Sequence, residues 1–336
     1  KKALDVKARA EAGMKPLFPL LEKIKNIASV DHLNERVTEL LSDSVPFPFD
    51  IEVTEDWKDT SRHCVFLSDP GLILPDTSYY GKKLVRHYML SLYKKTTSAL
   101  LKFSPLSRKE QKQYLKDTIA FDDLIRRKAL SRREMADYYK MYNPMDTKEV
   151  CGLLAPFDLG GLLEKLYGDQ VPEKLVLSNP RLIEGFKEIF NEKTFPLYVH
   201  WCYVNTIYKY APALSEEIYE ISGRSMNKLM GIKEMPSIEK QAALLVSSVY
   251  DQPVGVYYGR KYFGEEAKKD ITAIVREIIG TYEQRIRKND ILSDETKEKA
   301  VLKLNSIHIK MGYPDRYDPF YDTLRVGDGD SFFDAM

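Results

Sequence analysis

The five histidines are the residues with which this chain could most readily build a metal or nucleophile site: His32, His63, His87, His200 and His308. A hydrolytic zinc helix needs His-Glu-x-x-His, because positions i and i+4 place both imidazoles on one helix face, with the glutamate beside the bound water. None of the five histidines begins or ends this pattern. The sequence therefore predicts no metal ligand and no catalytic residue within this chain.

Two looser combinations of histidine and cysteine remain. His63 and Cys64 are adjacent, whereas His200 and Cys202 are two residues apart. Neighbours on a strand point to opposite faces, and residues two apart on a helix are separated by about 200°, so neither pair converges easily on one ion. Core packing is the favoured interpretation of both pairs. The chain also lacks a Gly-x-Ser-x-Gly pattern and a glycine-rich phosphate loop.

The stretch SDPGLILPDTSYYG, residues 68–81, combines carboxylates and tyrosines with a short apolar run. Pro70 and Pro75 lack an amide donor and restrict the residues before them, which disfavours both a helix and a central strand. The stretch is therefore predicted to be an ordered, partly buried loop.

One β-hairpin and many helices are predicted around this loop. Apolar residues alternate before and after a polar turn, which predicts a hairpin over about 47–67. From Lys82 onward, apolar spacing of period 3.6 predicts a mostly helical chain. The predicted segments up to residue 230 are 84–103, 107–128, 131–141, 147–153, 158–167, 179–191, 194–210 and 212–230. A long apolar stripe over 267–286 predicts a further helix, and Ser293 is predicted to cap the next one.

Composition argues against several classes of protein. Of the 336 residues, 43% are hydrophobic and 30% charged, which provides a sizeable core and is unlike a disordered chain. Three cysteines without CxxC spacing disfavour a disulfide framework and favour a cytoplasmic location. No apolar run approaches the roughly 20 residues that cross a bilayer, so no membrane segment is predicted. Basic residues are in excess between Lys82 and Lys148, but a net charge of +1 argues against a nucleic-acid partner.

Three stretches together resemble the neprilysin family of zinc metallopeptidases, and within it the bacterial oligopeptidases called endopeptidase O. They are SDPGLILPDTSYYG (68–81), QPVGVYYGRKYFGEEAKKDI (252–271) and RIRKNDILSDETKEKAVLKLNSIHIKMGYPDRY (285–317). A fourth, weaker match is EKLVLSNPRLIEGF (173–186). The order and spacing of the stretches also agree with the family.

The resemblance implies a mainly α fold, in which a multi-helix cap lobe with one β-hairpin forms part of a two-lobed peptidase. Residues 1–305 would be the cap lobe, and residues 306–336 an exit loop and the start of a linker. In the family, the zinc-binding His-Glu-x-x-His helix lies downstream of the Gly-Tyr-Pro-Asp stretch. The chain stops at Met336, shortly after Gly312-Tyr313-Pro314-Asp315. Truncation would thus explain why the motif is missing.

The same resemblance implies a function for the intact protein, a zinc metalloendopeptidase that hydrolyses oligopeptides within a central cavity. Zinc would belong to the intact enzyme, with none bound by this chain, and the fragment alone is predicted to be inactive. Its partners would be oligopeptide substrates and the missing C-terminal catalytic lobe. Asp69, Asp76, Tyr79 and Tyr80 are the candidate contacts to substrate in the cavity.

A function of another class is also open, namely a stand-alone helical module that binds peptides or proteins without catalysis. A third possibility is one piece of a split enzyme whose zinc-bearing half is a separate chain. The nucleotide sequence after Met336 would discriminate between the first two functions. A stop codon would favour the module, whereas an open frame encoding His-Glu-x-x-His would favour the enzyme.

Overall fold

The computed structural model describes residues 1–335, which are mainly α-helical. The helices before residue 130 are α1 (Val6–Ala12), α2 (Phe18–Lys25), α3 (Val30–Ser42), α4 (Thr77–Gly81), α5 (Lys83–Leu101) and α6 (Arg108–Arg126). Those that follow, up to residue 235, are α7 (Arg132–Met135), α8 (Thr147–Leu154), α9 (Leu159–Tyr167), α10 (Pro180–Glu184), α11 (Phe186–Ile189), α12 (Phe195–Tyr210) and α13 (Glu216–Met230). The last four are α14 (Ile238–Val249), α15 (Asp251–Tyr258), α16 (Gly264–Arg287) and α17 (Asp294–Asn305). The mainly α fold class is confirmed.

A small mixed sheet interrupts the helices. Its strands are β1 (Asp50–Asp56), β2 (Asp59–Ser68), β3 (Asn143–Asp146) and β4 (Lys174–Leu177), in the order β1-β2-β4-β3. The antiparallel pair β1–β2 is the predicted hairpin. Parallel pairing of β2 with β4, where Phe66 lies opposite Val176, and antiparallel pairing of β4 with β3 complete the sheet. Strands β3 and β4 were not predicted, because each has only four residues and gives too little alternation to read.

Most of the predicted helices occur where the periodicity placed them, with ends fixed by capping residues. Ser107 and Glu110 form a reciprocal capping box at the start of α6. Ser293 caps α17 as predicted, since its hydroxyl accepts a hydrogen bond from the amide of Thr296. The segment predicted over 179–191 is divided into α10 and α11 at Gly185.

Helices α6 and α12 pack against each other through aromatic side chains at the centre of the core. The ring of Phe121 lies 5.7 Å from that of Tyr198 and 5.4 Å from that of Trp201. Phe190 extends the same cluster, with its ring 5.2 Å from Tyr198. Burial of so many large side chains fixes α6, and therefore also fixes the residues that α6 presents to the loop after β2.

Residues 5–235 form one compact unit, and residues 1–4 together with 236–335 form a second. The sheet and helices α1 to α13 belong to the first unit, and α14 to α17 belong to the second. The proposed division into residues 1–305 and 306–336 stays a prediction. No helix within residues 1–335 has the length and apolar character needed to span a membrane.

Candidate functional site

The segment that follows β2 holds the four candidate residues. Its first part, with Asp69 and Asp76, is the ordered, partly buried loop that was predicted. Residues Thr77–Gly81, with Tyr79 and Tyr80, instead form the short helix α4, because Asp76 caps a new helix after Pro75.

Leu74 is buried in a cluster with Tyr80 and with Met89 and Leu90 of α5. Tyr79, with Leu72 and Ile73, packs against this cluster while remaining partly exposed. The apolar run between the two prolines therefore fixes the loop onto the helices that follow it.

Asp69 links three segments of the chain. Its Oδ1 accepts a hydrogen bond from Asn179 Nδ2 at 2.6 Å, and its Oδ2 accepts one from the amide of Leu130 at 2.6 Å. Burial raises the pKa of Asp69, although both of these hydrogen bonds oppose the rise. Asp69 therefore ties the end of β2 to the segments that follow α6 and precede α10.

Asp76 caps the short helix α4 and also reaches α7. One oxygen accepts from the amide of Ser78 at 2.9 Å, and the other accepts from the amide of Arg132 at 2.7 Å. The bond from the Arg132 amide is the main cause that lowers the pKa of Asp76, followed by the contacts to Ser78. Asp76 is therefore a carboxylate that positions two helix starts.

Tyr80 and Asp122 form a buried pair beneath the loop. The Tyr80 hydroxyl donates to Asp122 Oδ2 at 2.5 Å and accepts from the amide of Leu74 at 3.1 Å. The other oxygen, Asp122 Oδ1, accepts from the amide of Ile73 at 2.8 Å. The guanidinium of Arg126 lies over the Tyr80 ring, 5.5 Å from its centroid. The carboxylate of Asp122, on α6, therefore binds the amide of Ile73 directly and the amide of Leu74 through the Tyr80 hydroxyl.

Asp122 is only 1% exposed, and this burial raises its pKa to about 6, because an ionised carboxylate is poorly solvated in the core. The hydrogen bonds from Tyr80 and Ile73 favour the ionised form but do not offset burial. The sequence does not reveal this role, because Asp122 and Asp123 both precede Arg126 at the spacing of charge pairs on a helix surface. Asp123 alone forms such pairs, accepting from Arg126 at 2.7 Å and from Arg127 at 2.7 Å.

The four candidate residues therefore lie together, and three of them have defined internal partners. Asp69, Asp76 and Tyr80 hold the loop in place through the hydrogen bonds described above. Contact between any of the four and a peptide substrate stays a prediction.

A second concentration of polar side chains surrounds the Gly-Tyr-Pro-Asp stretch. Tyr313 is buried, and its hydroxyl donates to Glu265 Oε1 at 2.5 Å. Lys268 Nζ lies 4.6 Å from the centre of the Tyr313 ring and bonds Asp315 Oδ1 at 2.6 Å. Gly312 has φ +72°, and a Cβ there would also lie 2.9 Å from the Phe263 ring, so this turn requires glycine.

Next to this turn is an open groove of about 410 Å³. Its lining residues are Lys268 and the continuous segment 308–315. The groove offers cationic and hydrogen-bonding groups but no assembled catalytic set.

Helix α16 exposes the apolar stripe that its sequence predicted. None of its residues is buried, and Ile274, Ile278 and Tyr282 are 53%, 48% and 56% exposed. The stripe borders a groove of about 450 Å³, lined also by Ala273, Glu277, Thr281 and Arg285. A contiguous exposed apolar face of this kind is typical of a surface that contacts another protein or another domain.

The side chains that the structure describes do not form a zinc site. Within residues 1–335, no group of three or more His, Cys, Asp or Glu side chains is placed to hold a metal ion. His200 Nδ1 bonds Asp117 Oδ2 at 2.7 Å and its ring stacks on Tyr114, while Cys202 is fully buried. The pair His200 and Cys202 thus has the packing role that its spacing favoured, and no catalytic step through a metal follows from these side chains.

The chain is similar in sequence to known peptidases over most of its length. The model of peptidase family M13, in its N-terminal part, matches residues 1–314. The neutral endopeptidase of Lactobacillus helveticus is 31% identical over 311 residues, covering 93% of this chain and 48% of that protein. The neutral endopeptidase of Lactococcus lactis subsp. cremoris is 31% identical over 337 residues, covering all of this chain and 53% of that protein.

A solved structure agrees with the sequence relatives. The crystal structure of PepO from Lactobacillus rhamnosis HN001 superposes with a TM-score of 0.92 at 25% identity, covering 99% of this chain and 53% of that chain. The chain thus spans about half the length of the relatives it matches. Because the family model covers almost the whole sequence, this chain belongs to peptidase family M13, the neprilysin family, and corresponds to its N-terminal portion.

Proposed function

We propose that this chain is the cap-lobe portion of a zinc metalloendopeptidase that hydrolyses oligopeptides inside a central cavity. The observation that carries the proposal is the family match over residues 1–314. The neutral endopeptidases of Lactobacillus helveticus and Lactococcus lactis, each about twice as long as this chain, support it. Zinc and the catalytic residues would come from the other half of the intact protein, so we assign no hydrolytic step to residues 1–335.

The proposed contribution of this portion is to bind and select peptides. A bulky helical lobe over the catalytic half would admit flexible peptides and exclude folded proteins. The anchored loop over residues 68–81 would then serve as a rigid wall, because Asp69 and Asp122 fix its backbone from two sides. A cytoplasmic location is proposed only on the low cysteine content of the chain.

The decisive experiment compares the complete reading frame with a version that stops at Met336. We expect the complete protein to bind one zinc ion and to cleave a quenched-fluorescent peptide of about ten residues, but not a folded protein. The version ending at Met336 should show neither zinc nor cleavage. One equivalent of zinc and chelator-sensitive cleavage in the shorter protein would contradict the proposal. A complete frame that ends at Met336 would favour the stand-alone binding module instead.

The exposed stripe of α16 supplies a second prediction. In the proposed enzyme it would pack against the catalytic half, so the chain expressed alone should self-associate and bind a hydrophobic dye. The double substitution Ile274→Lys and Ile278→Lys should lower dye fluorescence at least threefold and shift the chain to monomer in analytical ultracentrifugation.

The matched control places the same two charges on apolar side chains that lie elsewhere. Tyr139→Lys with Leu166→Lys alters residues that are 75% and 45% exposed in the other compact unit. This control should leave dye binding and the association state close to those of the unmodified chain, because surface substitutions away from packed features usually have small effects on the fold. Equal effects of both double variants, or a monomeric chain without dye binding, would contradict the assignment of the stripe.

A further inference from the structure

The first two turns of α5 expose two large apolar side chains. Leu84 is 85% exposed and Tyr88 is 48% exposed, although the same helix buries Met89 and Leu90, the two residues that follow Tyr88. Leu84 and Tyr88 are four residues apart, so their side chains lie on one helix face. These two large apolar side chains are consequently available to a partner.

Basic residues flank this apolar pair along the chain, since Lys82 and Lys83 precede Leu84, and Arg86 and His87 lie between Leu84 and Tyr88. Asp123 is the carboxylate shared by three arginines, at 2.7 Å from both Arg126 and Arg127 and at 3.9 Å from Arg86. One carboxylate and three guanidinium groups leave an excess of two positive charges. Lys82 and Lys83 add two more, and neither has a carboxylate within 4.0 Å in the part of the chain that the structure describes.

The charge on this helix end is also locally unfavourable. The first turn of α5 contains no acidic residue, and Lys82 provides no side-chain cap. Cations near the positive end of a helix dipole are destabilising. An anionic partner would remove this repulsion, whereas Leu84 and Tyr88 would contribute apolar burial.

We propose that the basic–apolar patch, formed by Lys82, Lys83, Leu84, Arg86, His87 and Tyr88, binds an acidic peptide segment that carries large apolar residues. Complementary charge would orient the segment, and its apolar side chains would cover Leu84 and Tyr88. This inference does not rest on the proposed peptidase function, because a cap lobe and a stand-alone module would both present the patch.

A peptide fits the patch better than a membrane or a nucleic acid does. A helix that lies on a membrane presents a long apolar face, but α5 turns its apolar residues into the core from Met89 onward. Leu84 is 85% exposed, and its aliphatic side chain cannot contact a phosphate backbone favourably, because binding to that backbone is mainly electrostatic. An acidic and apolar peptide uses both kinds of side chain.

The test uses the chain as it is and a fluorescein-labelled ten-residue peptide of alternating Glu and Leu. We expect fluorescence anisotropy to detect binding at 0.15 M salt, with at least tenfold weaker binding of a Lys–Leu peptide and at least fivefold weaker binding of a Glu–Ser peptide. Lys82→Glu with Lys83→Glu should weaken Glu–Leu binding at least tenfold, and Leu84→Ser at least threefold.

Lys94→Glu with Lys95→Glu is the matched control, with the same charge change on the same helix. These residues lie about 18 Å further along the chain, at 1.5 Å per residue, which exceeds the screening length of about 8 Å at 0.15 M salt. Binding should change less than twofold. The double variant at Lys82 and Lys83 should also retain its melting temperature or gain slightly, since glutamates suit a helix start.

Three results would overturn the proposal. They are equal binding of the Glu–Leu and Lys–Leu peptides, equal losses in the Lys82/Lys83 and Lys94/Lys95 variants, and no detectable peptide binding. Binding to vesicles of phosphatidylserine, or to a single-stranded oligonucleotide, that is tighter than binding to the Glu–Leu peptide would also overturn it. Absence of zinc-dependent cleavage in the complete protein would contradict the proposed peptidase function but not peptide binding by this patch. The two proposals are therefore tested by different measurements.

Discussion

Between pH 5.0 and 7.5 the unmodified chain should lose about 1.4 kcal/mol more unfolding free energy than an Asp122→Asn variant. The pKa of Asp122 is raised to about 6 by burial in the folded chain, from an ordinary value of 3.8. The folded state therefore holds this proton more tightly than the unfolded state does. Stability falls as the pH rises through 6, because the buried carboxyl must ionise. Asparagine has no such proton, so its variant should lack this slope.

Urea unfolding followed by tryptophan fluorescence measures this difference in unfolding free energy for the compact unit that contains Asp122. Trp57 and Trp201 are the two tryptophans of the chain, and both lie within residues 5–235. Contributions from other carboxyls with raised pKa, such as Asp69, cancel because both proteins retain them.

The matched control is Asp123→Asn, on the next residue of α6. Burial acts to raise the pKa of Asp123, but its hydrogen bonds from Arg127 and Arg126 outweigh this and lower the pKa. Asp123 therefore titrates below the chosen window, and its variant should keep the slope of the unmodified chain. Parallel pH profiles for the unmodified chain and Asp122→Asn would contradict the assignment of this proton to Asp122.

Gly259→Ala should destabilise the second compact unit by about 3 kcal/mol, the upper end of the range for overpacked sites. A Cβ at this position would lie 2.2 Å from Cδ1 and 2.4 Å from Cγ of Tyr313. The ring has little freedom to move, since its hydroxyl bonds Glu265 and Lys268 lies over its face. Hydrogen–deuterium exchange over residues 251–315 should rise accordingly.

Gly255→Ala provides the comparison one helical turn earlier. Apart from the adjacent residues and the backbone of its own helix, no described atom lies within 4 Å of the Cβ position there, so alanine should be neutral or should stabilise α15 by about 0.5–1 kcal/mol. A second comparison adds Tyr313→Ala to Gly259→Ala, and the combined loss should be smaller than the sum of the single losses. Additive losses, or equal exchange in the two glycine variants, would refute the steric explanation.

Local patterns in the sequence were enough to predict the hairpin and most of the helices. Alternation defined β1 and β2, and capping residues such as Ser293 defined helix starts, because both signals lie within a few neighbouring residues. Strand β4 exists through its parallel pairing with β2, more than 100 residues away, and no local signal reports such a pairing.

The site was predictable only in outline. The prolines of the loop and its apolar run indicated order and burial, and Leu74 is indeed in the core. The anchoring role of Asp122 could not be predicted from the sequence. Its neighbour Asp123 is also an aspartate, and it is Asp123 that forms the charge pairs expected on a helix surface. The orientation of α6 in the core decides which carboxylate turns inward, and that depends on aromatic contacts such as the one between Phe121 and Trp201.

The parallel pairing of β2 with β4 has a consequence for synthesis of the protein on the ribosome. The amide of Ser178 donates to the carbonyl of Leu67, and Asn179 holds Asp69, so the loop after β2 acquires its final anchors only once residues 174–179 have emerged. For more than 100 residues of elongation, at about 5–20 residues per second, the edge of β2 that later pairs with β4 stays unpaired. Such an edge invites pairing with other chains. The first half of the chain should therefore need a chaperone at the exit tunnel more than the later helices do.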